Sequence, residues 1–297
     1  MEILLTGSNG FLGKHLKKKL NNYLYIELNS KKKTLDNSYV YDLSKEIPQF
    51  ACQPEMVIHA AGLAHTNPKN LLEAKSFFDV NVNGTKNLLL GLKKSGIPKR
   101  FVFISSVAVY GLDSGLLINE DYPLLAKDPY GLSKIQAERL VLEWCKKNNV
   151  ICTILRLPLL VGKNPPGNLG AMVKAIKKRY YFNIGGGVAK KSMVIADDVA
   201  SFIPEIAEVG GIYNLTDGFH PTFYELSRSI SNKQQLNMPI LLAKFIGYIG
   251  DILGDIAPIN SSKIKKITSD LTFDDSKARE LGWNPQTVLN YLKNNEL

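Results

Sequence analysis

The sequence predicts an α/β protein: a doubly wound parallel sheet with a smaller α/β lobe towards the C-terminus. Three observations predict it. Short apolar runs alternate with helical patterns through the first half of the chain. A glycine-rich turn follows the first run directly. After Leu160 the alternation gives way to irregular segments richer in glycine and proline. Strands that alternate with helices build parallel sheets buried on both faces, and such strands read as continuous apolar runs.

The strand runs are Glu2–Leu5, Leu24–Leu28, Met56–His59, Phe101–Ile104 and Ile151–Leu155. Helical patterns follow at about Leu12–Asn21, Ser76–Ser95 and Tyr130–Asn148. Asp197–Glu208 reads as a further helix and Gly211–Leu215 as a further strand. Residues 1–162 with about 196–216 then form the sheet domain, and about 163–195 with 217–297 the smaller lobe. Ligands of open α/β sheets bind at the carboxyl edge, which such a lobe would cover.

Composition narrows the function. With 297 residues, 45% of them apolar, the chain needs no disulfide or metal to fold. Cys52, Cys145 and Cys152 lack metal spacing and read as reduced thiols. The four histidines are scattered, so no metal site is expected. The segment nearest to a membrane span, Met238–Ile256, is broken by Lys244, Asp251 and Asp255 and reads as an amphipathic helix. No signal-peptide pattern opens the chain, and a cytoplasmic protein is expected. A formal charge of +10 invites nucleic acid, but the lysines are dispersed and lack interleaved aromatics. Nucleic acid is therefore not expected as a partner.

The first strand runs into Thr6-Gly7-Ser8-Asn9-Gly10-Phe11-Leu12-Gly13 and then a helix. Glycines at these points permit a tight turn, close approach of backbone N–H groups to a pyrophosphate, and close helix–strand packing. A phosphate-binding P-loop fails on spacing, with Ser8 and His15 where glycine and Ser or Thr are required. The turn predicts a Rossmann-type dinucleotide site. An enzyme for NAD usually carries an acid just after the second strand. Here Asn29-Ser30-Lys31-Lys32-Lys33 follows, with Lys31 and its neighbours near a 2′-phosphate position. This favours NADP, with NAD as the alternative if Glu27 supplies the acid.

Asp128 and Pro129 suit the N-cap and first turn of a helix. Tyr130 and Lys134 then share a face, four residues apart. An ammonium beside a phenol lowers its pKa, which fits Tyr130 to move a proton at a carbonyl. Ser105 and Ser106 end the Phe101 strand at the same sheet edge, and either could hold the carbonyl oxygen.

With these motifs in order, the chain resembles the extended short-chain dehydrogenase/reductases. The resemblance rests also on Asp42-Leu43, His59-Ala60-Ala61-Gly62, Asn81-x-x-Gly84-Thr85-x-Asn87, Tyr110-Gly111, Leu155-Arg156-x-Pro158, Ala196-Asp197-Asp198-Val199 and the closing Asp275–Trp283 segment. It implies Tyr130 as acid/base, Lys134 as its tuner and a ribose contact, and Ser106 as the group that polarises the substrate, with Ser105 as the near alternative. It further implies that Gly7, Asn9, Gly10, Phe11, Leu12 and Gly13 line the cofactor. Asp42 and Leu43 would touch adenine, Ala60, Ala61 and Gly62 would line the cofactor, and Pro158 would lie against nicotinamide.

Within that family the second half is most similar to enzymes of nucleotide-sugar metabolism. Asn168 in the Pro165–Leu169 segment, Lys191 and Lys266 are implied contacts of a UDP- or dTDP-sugar, with His65 facing the sugar. Lys191 stands where relatives use arginine, which gives up the bidentate fork. The resemblance implies NADPH-dependent reduction of a nucleotide-linked 4-keto-6-deoxyhexose at C4. A 4-epimerase is the alternative and a non-catalytic NADP-sensing protein a distant one. It also implies a homodimer through the Ser76–Ser95 and Tyr130–Asn148 helices.

Overall fold

The computed structural model describes residues 1–30, 38–64, 68, 70–231, 233–254 and 259–294. Its strands are β1 (Glu2–Thr6), β2 (Leu24–Asn29), β3 (Ser38–Val40), β4 (Met56–His59), β5 (Arg100–Ser106), β6 (Gly115–Ile118) and β7 (Ile151–Leu157). There follow β8 (Leu159–Val161), β9 (Phe182–Ile184), β10 (Met193–Ile195), β11 (Gly211–Asn214), β12 (Leu236–Met238) and β13 (Leu271–Phe273). Seven of them form one parallel sheet in the order β11-β7-β5-β4-β1-β2-β3. The chain winds outwards in both directions from β1 and β4. Their carboxyl ends therefore border the crevice where such sheets take ligands. The other strands form the pairs β8–β10, β9–β12 and β6–β13.

Period-two alternation builds the two faces. Ile3, Leu5, Met56 and Ile58 pack with Leu12 and Leu16 of α1 (Phe11–Lys19) on one side. Leu4, Val57, Phe101 and Phe103 point to the other, onto α3 (Gly84–Ser95) and α4 (Pro129–Lys147), which follow α2 (Leu71–Phe78). A third core joins Leu169 and Val173 of α5 (Gly167–Lys177) to Ile195, Leu226 and Val288. Leu226 comes from α7 (Phe223–Ile230), while α6 (Ala196–Ile206) packs in the first core, and α8 (Ile240–Leu253) and α9 (Ser261–Thr268) follow.

Two elements differ from their reading in the sequence. The helix expected at Ser76–Ser95 starts earlier, at Leu71, because the Asn70 side chain accepts from Glu73 N–H at 2.8 Å and caps it. It is also interrupted by a π-helical turn, Asp79–Asn83, and Asn81 within it is buried. The apolar segment from Met238 is helical from Ile240 to Leu253, but Ala243, Gly247 and Gly250 form its buried face and its large apolar side chains point outwards. Gly247 would place a Cβ 3.1 Å from the Ser261 backbone, so a tight seat on α9 excludes bulk there.

Candidate active site

The glycine turn follows β1 as expected. Gly7 has φ +73°, and a Cβ there would lie 2.6 Å from the backbone of Ala60 and Ala61. A Cβ at Gly13 would lie 2.1 Å from the Gly7 carbonyl oxygen. Neither position admits a side chain. Gly10 precedes α1, and its N–H donates to the Gly7 oxygen at 2.9 Å. The turn thus forms a side-chain-free cradle at a helix N-terminus, which fits a pyrophosphate. Asn9, Phe11 and Leu12 lie on this turn and the first turn of the helix, with Leu12 in the core.

Beneath the cradle a hydrogen-bond chain joins β1, β4 and the π turn. Ala61 N–H donates to Thr6 Oγ1 at 3.1 Å, and Thr6 meets His59 Nδ1 at 2.6 Å. His59 Nε2 lies 3.0 Å from Thr85 Oγ1, and Thr85 donates to the Asn81 carbonyl at 2.6 Å. Thr85 has one proton and gives it to Asn81, so it accepts from His59 Nε2–H. His59 Nδ1 then accepts from Thr6, and the ring is neutral. Burial pushes the His59 pKa down from 6.5 to about 3, with the Lys134 charge as a smaller cause. Its unfolded form takes a proton near pH 6.5 and its folded form does not, so stability falls progressively as pH drops from about 6.5 towards 3. The expected slope is about 1.4 kcal/mol per pH unit. Urea melts across that range measure it, and His59→Asn should flatten the slope by one proton.

Near the end of β2, Glu27 is buried. It accepts from Ser8 Oγ at 2.6 Å and pairs with Lys17 at 3.4 Å. Asn29 ends the strand, and its Oδ1 accepts from Asn9 Nδ2 at 2.9 Å. Lys31, Lys32, Lys33 and His65 lie outside the described residues. Asp42 follows β3; its carboxylate is held below the usual range, chiefly by the Ser44 hydroxyl at 2.6 Å. Leu43 is buried beside it, and Asn87 fixes its carbonyl at 2.8 Å.

The two serines at the end of β5 separate. Ser105, considered for the substrate oxygen, turns inward and donates to buried Glu138, because consecutive strand residues point to opposite faces. Ser106 lies beside the Tyr130 phenol and accepts from Ala108 N–H at 3.2 Å. Asp128 caps α4 through Gly131 N–H at 3.0 Å, with Pro129 in the first turn, and so orients Tyr130 and Lys134. Lys134 Nζ donates to the Ile104 carbonyl at 2.9 Å and lies 4.9 Å from the Phe103 ring centre. A Cβ on Gly62 would lie 3.2 Å from that ammonium and 3.1 Å from Asn81 Oδ1. Asn81 clamps the Leu63 backbone, accepting its N–H at 2.7 Å and donating to its carbonyl at 3.1 Å, and it also donates to Ser133 at 2.9 Å.

The electrostatics correct one expectation. The Tyr130 pKa is raised, not lowered: burial dominates, the Ser106 hydrogen bond opposes it, and Asp128 adds to it. The Lys134 ammonium rests on Ile104 and Phe103 in this arrangement. Burial lowers its own pKa to about 8 against the raising charge of Glu138.

Glu138 belongs to a network that the sequence reading did not identify. It holds Arg156 by two bonds, of 2.8 and 3.2 Å. Arg156 also donates to Tyr110 at 3.2 Å, and Tyr110 donates to Asn214 at 2.8 Å. Extending the spacing of Tyr130 and Lys134 by four more residues reaches Glu138, which was the available signal.

Pro158 follows β7, half-buried. Asn168 is exposed near the start of α5. Lys191 and Lys266 are brought near each other, but together with Asp113 and Asp270. Lys266 pairs with Asp113 at 3.2 Å, and burial lowers the Lys191 pKa to about 8. The described residues hold no metal-ligand cluster and no helix long and apolar enough to cross a membrane. The three cysteines are free thiols.

Comparison with known proteins agrees with this geometry. The chain is 28% identical over 302 residues to the Escherichia coli N-acetyl-alpha-D-glucosaminyl-diphospho-ditrans,octacis-undecaprenol 4-epimerase, covering 95% of this chain and 89% of that relative. It is 26% identical over 259 residues to the Pseudomonas aeruginosa GDP-6-deoxy-D-mannose reductase, covering 80% and 82%. The structure of the Thermotoga maritima UDP-glucose 4-epimerase with UDP-glucose superposes with a TM-score of 0.73 at 21% identity, covering 99% and 96% of the two chains. The sequence profile of the NAD dependent epimerase/dehydratase family matches residues 3–215. The chain therefore belongs to that family, as an NAD(P)-dependent enzyme of the extended short-chain dehydrogenase/reductase type.

Proposed function

We propose that this protein reduces a nucleotide-linked 4-keto-6-deoxyhexose at C4, with NADPH as the cofactor. One observation carries this reading: Ser106 at the end of β5 and Tyr130 and Lys134 at the start of α4 stand together at the carboxyl edge of the sheet, where burial favours the protonated phenol. A protonated phenol enters the reaction as an acid, which reduction of a ketone requires. Oxidation of an alcohol, with which an epimerase begins, requires the phenolate. The end of β2 supports NADPH, since the Glu27 carboxylate there is already engaged by Ser8, Asn29 and Lys17.

In this mechanism the cradle from Gly7 to Gly13 holds the cofactor pyrophosphate, with Ala60 to Gly62 and Pro158 lining its path. The bound cofactor supplies the hydride. Ser106 fixes the ketone oxygen, and Tyr130 gives its proton to that oxygen as negative charge develops there. Lys134 adds a positive charge behind the phenol, held in place by the Ile104 carbonyl. The reductive kcat/KM should therefore fall as pH rises through about 8, where the Lys134 ammonium is lost. Glu138→Gln should move that limb to lower pH, because the carboxylate supports the ammonium. A pH–rate profile flat to pH 10 would exclude a role for the Lys134 charge.

Lys191 and Lys266 supply cations for a diphosphate, and a homodimer through α3 and α4 completes the reading, with Leu90 and Leu142 exposed on those helices. The deciding experiment incubates the protein with UDP- and dTDP-4-keto-6-deoxy sugars and NADPH or NADH, with products assigned by NMR. A second reading, 4-epimerisation, is favoured by the relative with 28% identity over 95% of the chain. That relative's name places its sugar on undecaprenyl diphosphate, so lipid-linked sugars belong in the same assay. Tightly held NAD with sugar interconversion in the absence of added cofactor would replace the first reading by the second.

A further inference from the structure

The α8 helix is inverted relative to an ordinary surface helix. Its inner face is made of Ala243, Gly247 and Gly250, seated on the start of α9. Its outer face carries Leu241, Phe245, Tyr248 and Ile252, spaced by four, three and four residues, and each is at least 61% exposed. Leu242, Ile249 and Leu253 widen this stripe. Scattered exposed apolar residues need no explanation, but a continuous stripe on one helix does. Asp251, the one acid of α8, is drawn to α9, where it accepts from Ser261 N–H at 3.1 Å.

The surrounding charge identifies the occupant. Lys244 lies exposed on α8 itself. The α9 helix has no acid and buries Ile264, leaving Lys263 and Lys265 at the surface, while Lys266 pairs with Asp113 on the substrate side. A large apolar face flanked by lysines is the pattern of a helix that lies in a bilayer interface. A second copy docked through the same stripe would set lysines against lysines. The 14 residues of α8 span about 21 Å, short of the ~30 Å hydrocarbon core, so the helix lies on a membrane rather than across it.

We propose that α8 and α9 seat this protein on an anionic lipid surface, with the α8 stripe in the interface and Lys244 and Lys265 on the headgroups. The proposal is independent of which sugar is turned over. The test is co-sedimentation of the full chain with phosphatidylcholine vesicles, with and without phosphatidylglycerol. Binding to the anionic vesicles is expected, weakening with added salt. Phe245→Ser should weaken it by more than about tenfold through lost apolar burial. Lys265→Gln should weaken it by about fivefold on anionic vesicles only. Both sites are exposed, and thermal melts should match the parent. In Phe245→Trp the indole emission should shift to the blue on vesicle addition. Failure of the parent chain to bind anionic vesicles overturns the proposal. So does a Phe245→Ser variant that binds vesicles as well as the parent but changes oligomeric mass, since the stripe would then be a contact between copies.

Discussion

Tyr130→Phe should lower reductive kcat by about 10²- to 10⁴-fold, the usual contribution of a positioned proton donor. Cofactor affinity should change little. The glycine cradle is formed by backbone around Gly7 and Gly13, and the phenol oxygen is not part of it. The ring should stay in place against Phe77, whose centroid lies 5.9 Å away. Single-turnover hydride transfer and fluorescence titration with NADPH separate the two effects. Retention of most turnover would remove Tyr130 from the mechanism. Ser106→Ala should be milder, at about 10²- to 10³-fold, because it removes one oxygen-holding group and leaves the acid.

The second large effect concerns stability. Glu138→Ala should destabilise the fold by about 3–5 kcal/mol, because it leaves the Arg156 guanidinium buried without its carboxylate. The side chains are 2% and 3% exposed, so solvent cannot replace the lost partner. That is a large share of a typical folding stability of about 5–15 kcal/mol. A double change, Glu138→Met with Arg156→Met, removes both charges and should recover most of the loss. Denaturant unfolding of the three proteins measures this. A double variant no better than the single would mean that the bonds Arg156 donates to Tyr110 and, at 3.1 Å, to the Glu120 carbonyl, not the ion pair, hold this region.

These two predictions divide along the line between what was legible in the sequence and what was not. Tyr130, Lys134, their Asp128-Pro129 cap and the glycine turn are local patterns, in which a few neighbouring residues determine the geometry. The strands were legible for the same reason, since parallel strands buried on both faces must be continuously apolar. Partners distant in sequence were not legible. Tyr110 and Asn214 are 104 positions apart, and only the placing of β11 beside β7 brings them together. Ser105 and Ser106 differ by one position, and a single step of strand register decides which one faces the crevice. The apolar content of α8 was plain, but not its orientation. Periodicity marks where large side chains lie, whereas the buried side here is chosen by how closely two backbones approach. Lys191 and Lys266 were readable as cations, but the acids near them were not.

The chain of bonds from Ala61 through Thr6, His59 and Thr85 to Asn81 has a further consequence. Every donor in it points the same way, so the bonds polarise one another and reinforce a single direction. Reversing the His59 bonds would need the one Thr85 proton, and the Asn81 carbonyl, which can only accept, already holds it. The imidazole is therefore locked as one tautomer by the Asn81 backbone carbonyl, acting through Thr85. Nitrogen NMR distinguishes the two tautomers of histidine. The His59 ring should act as a built-in reporter of whether the loop after β4 keeps its shape when the crevice fills.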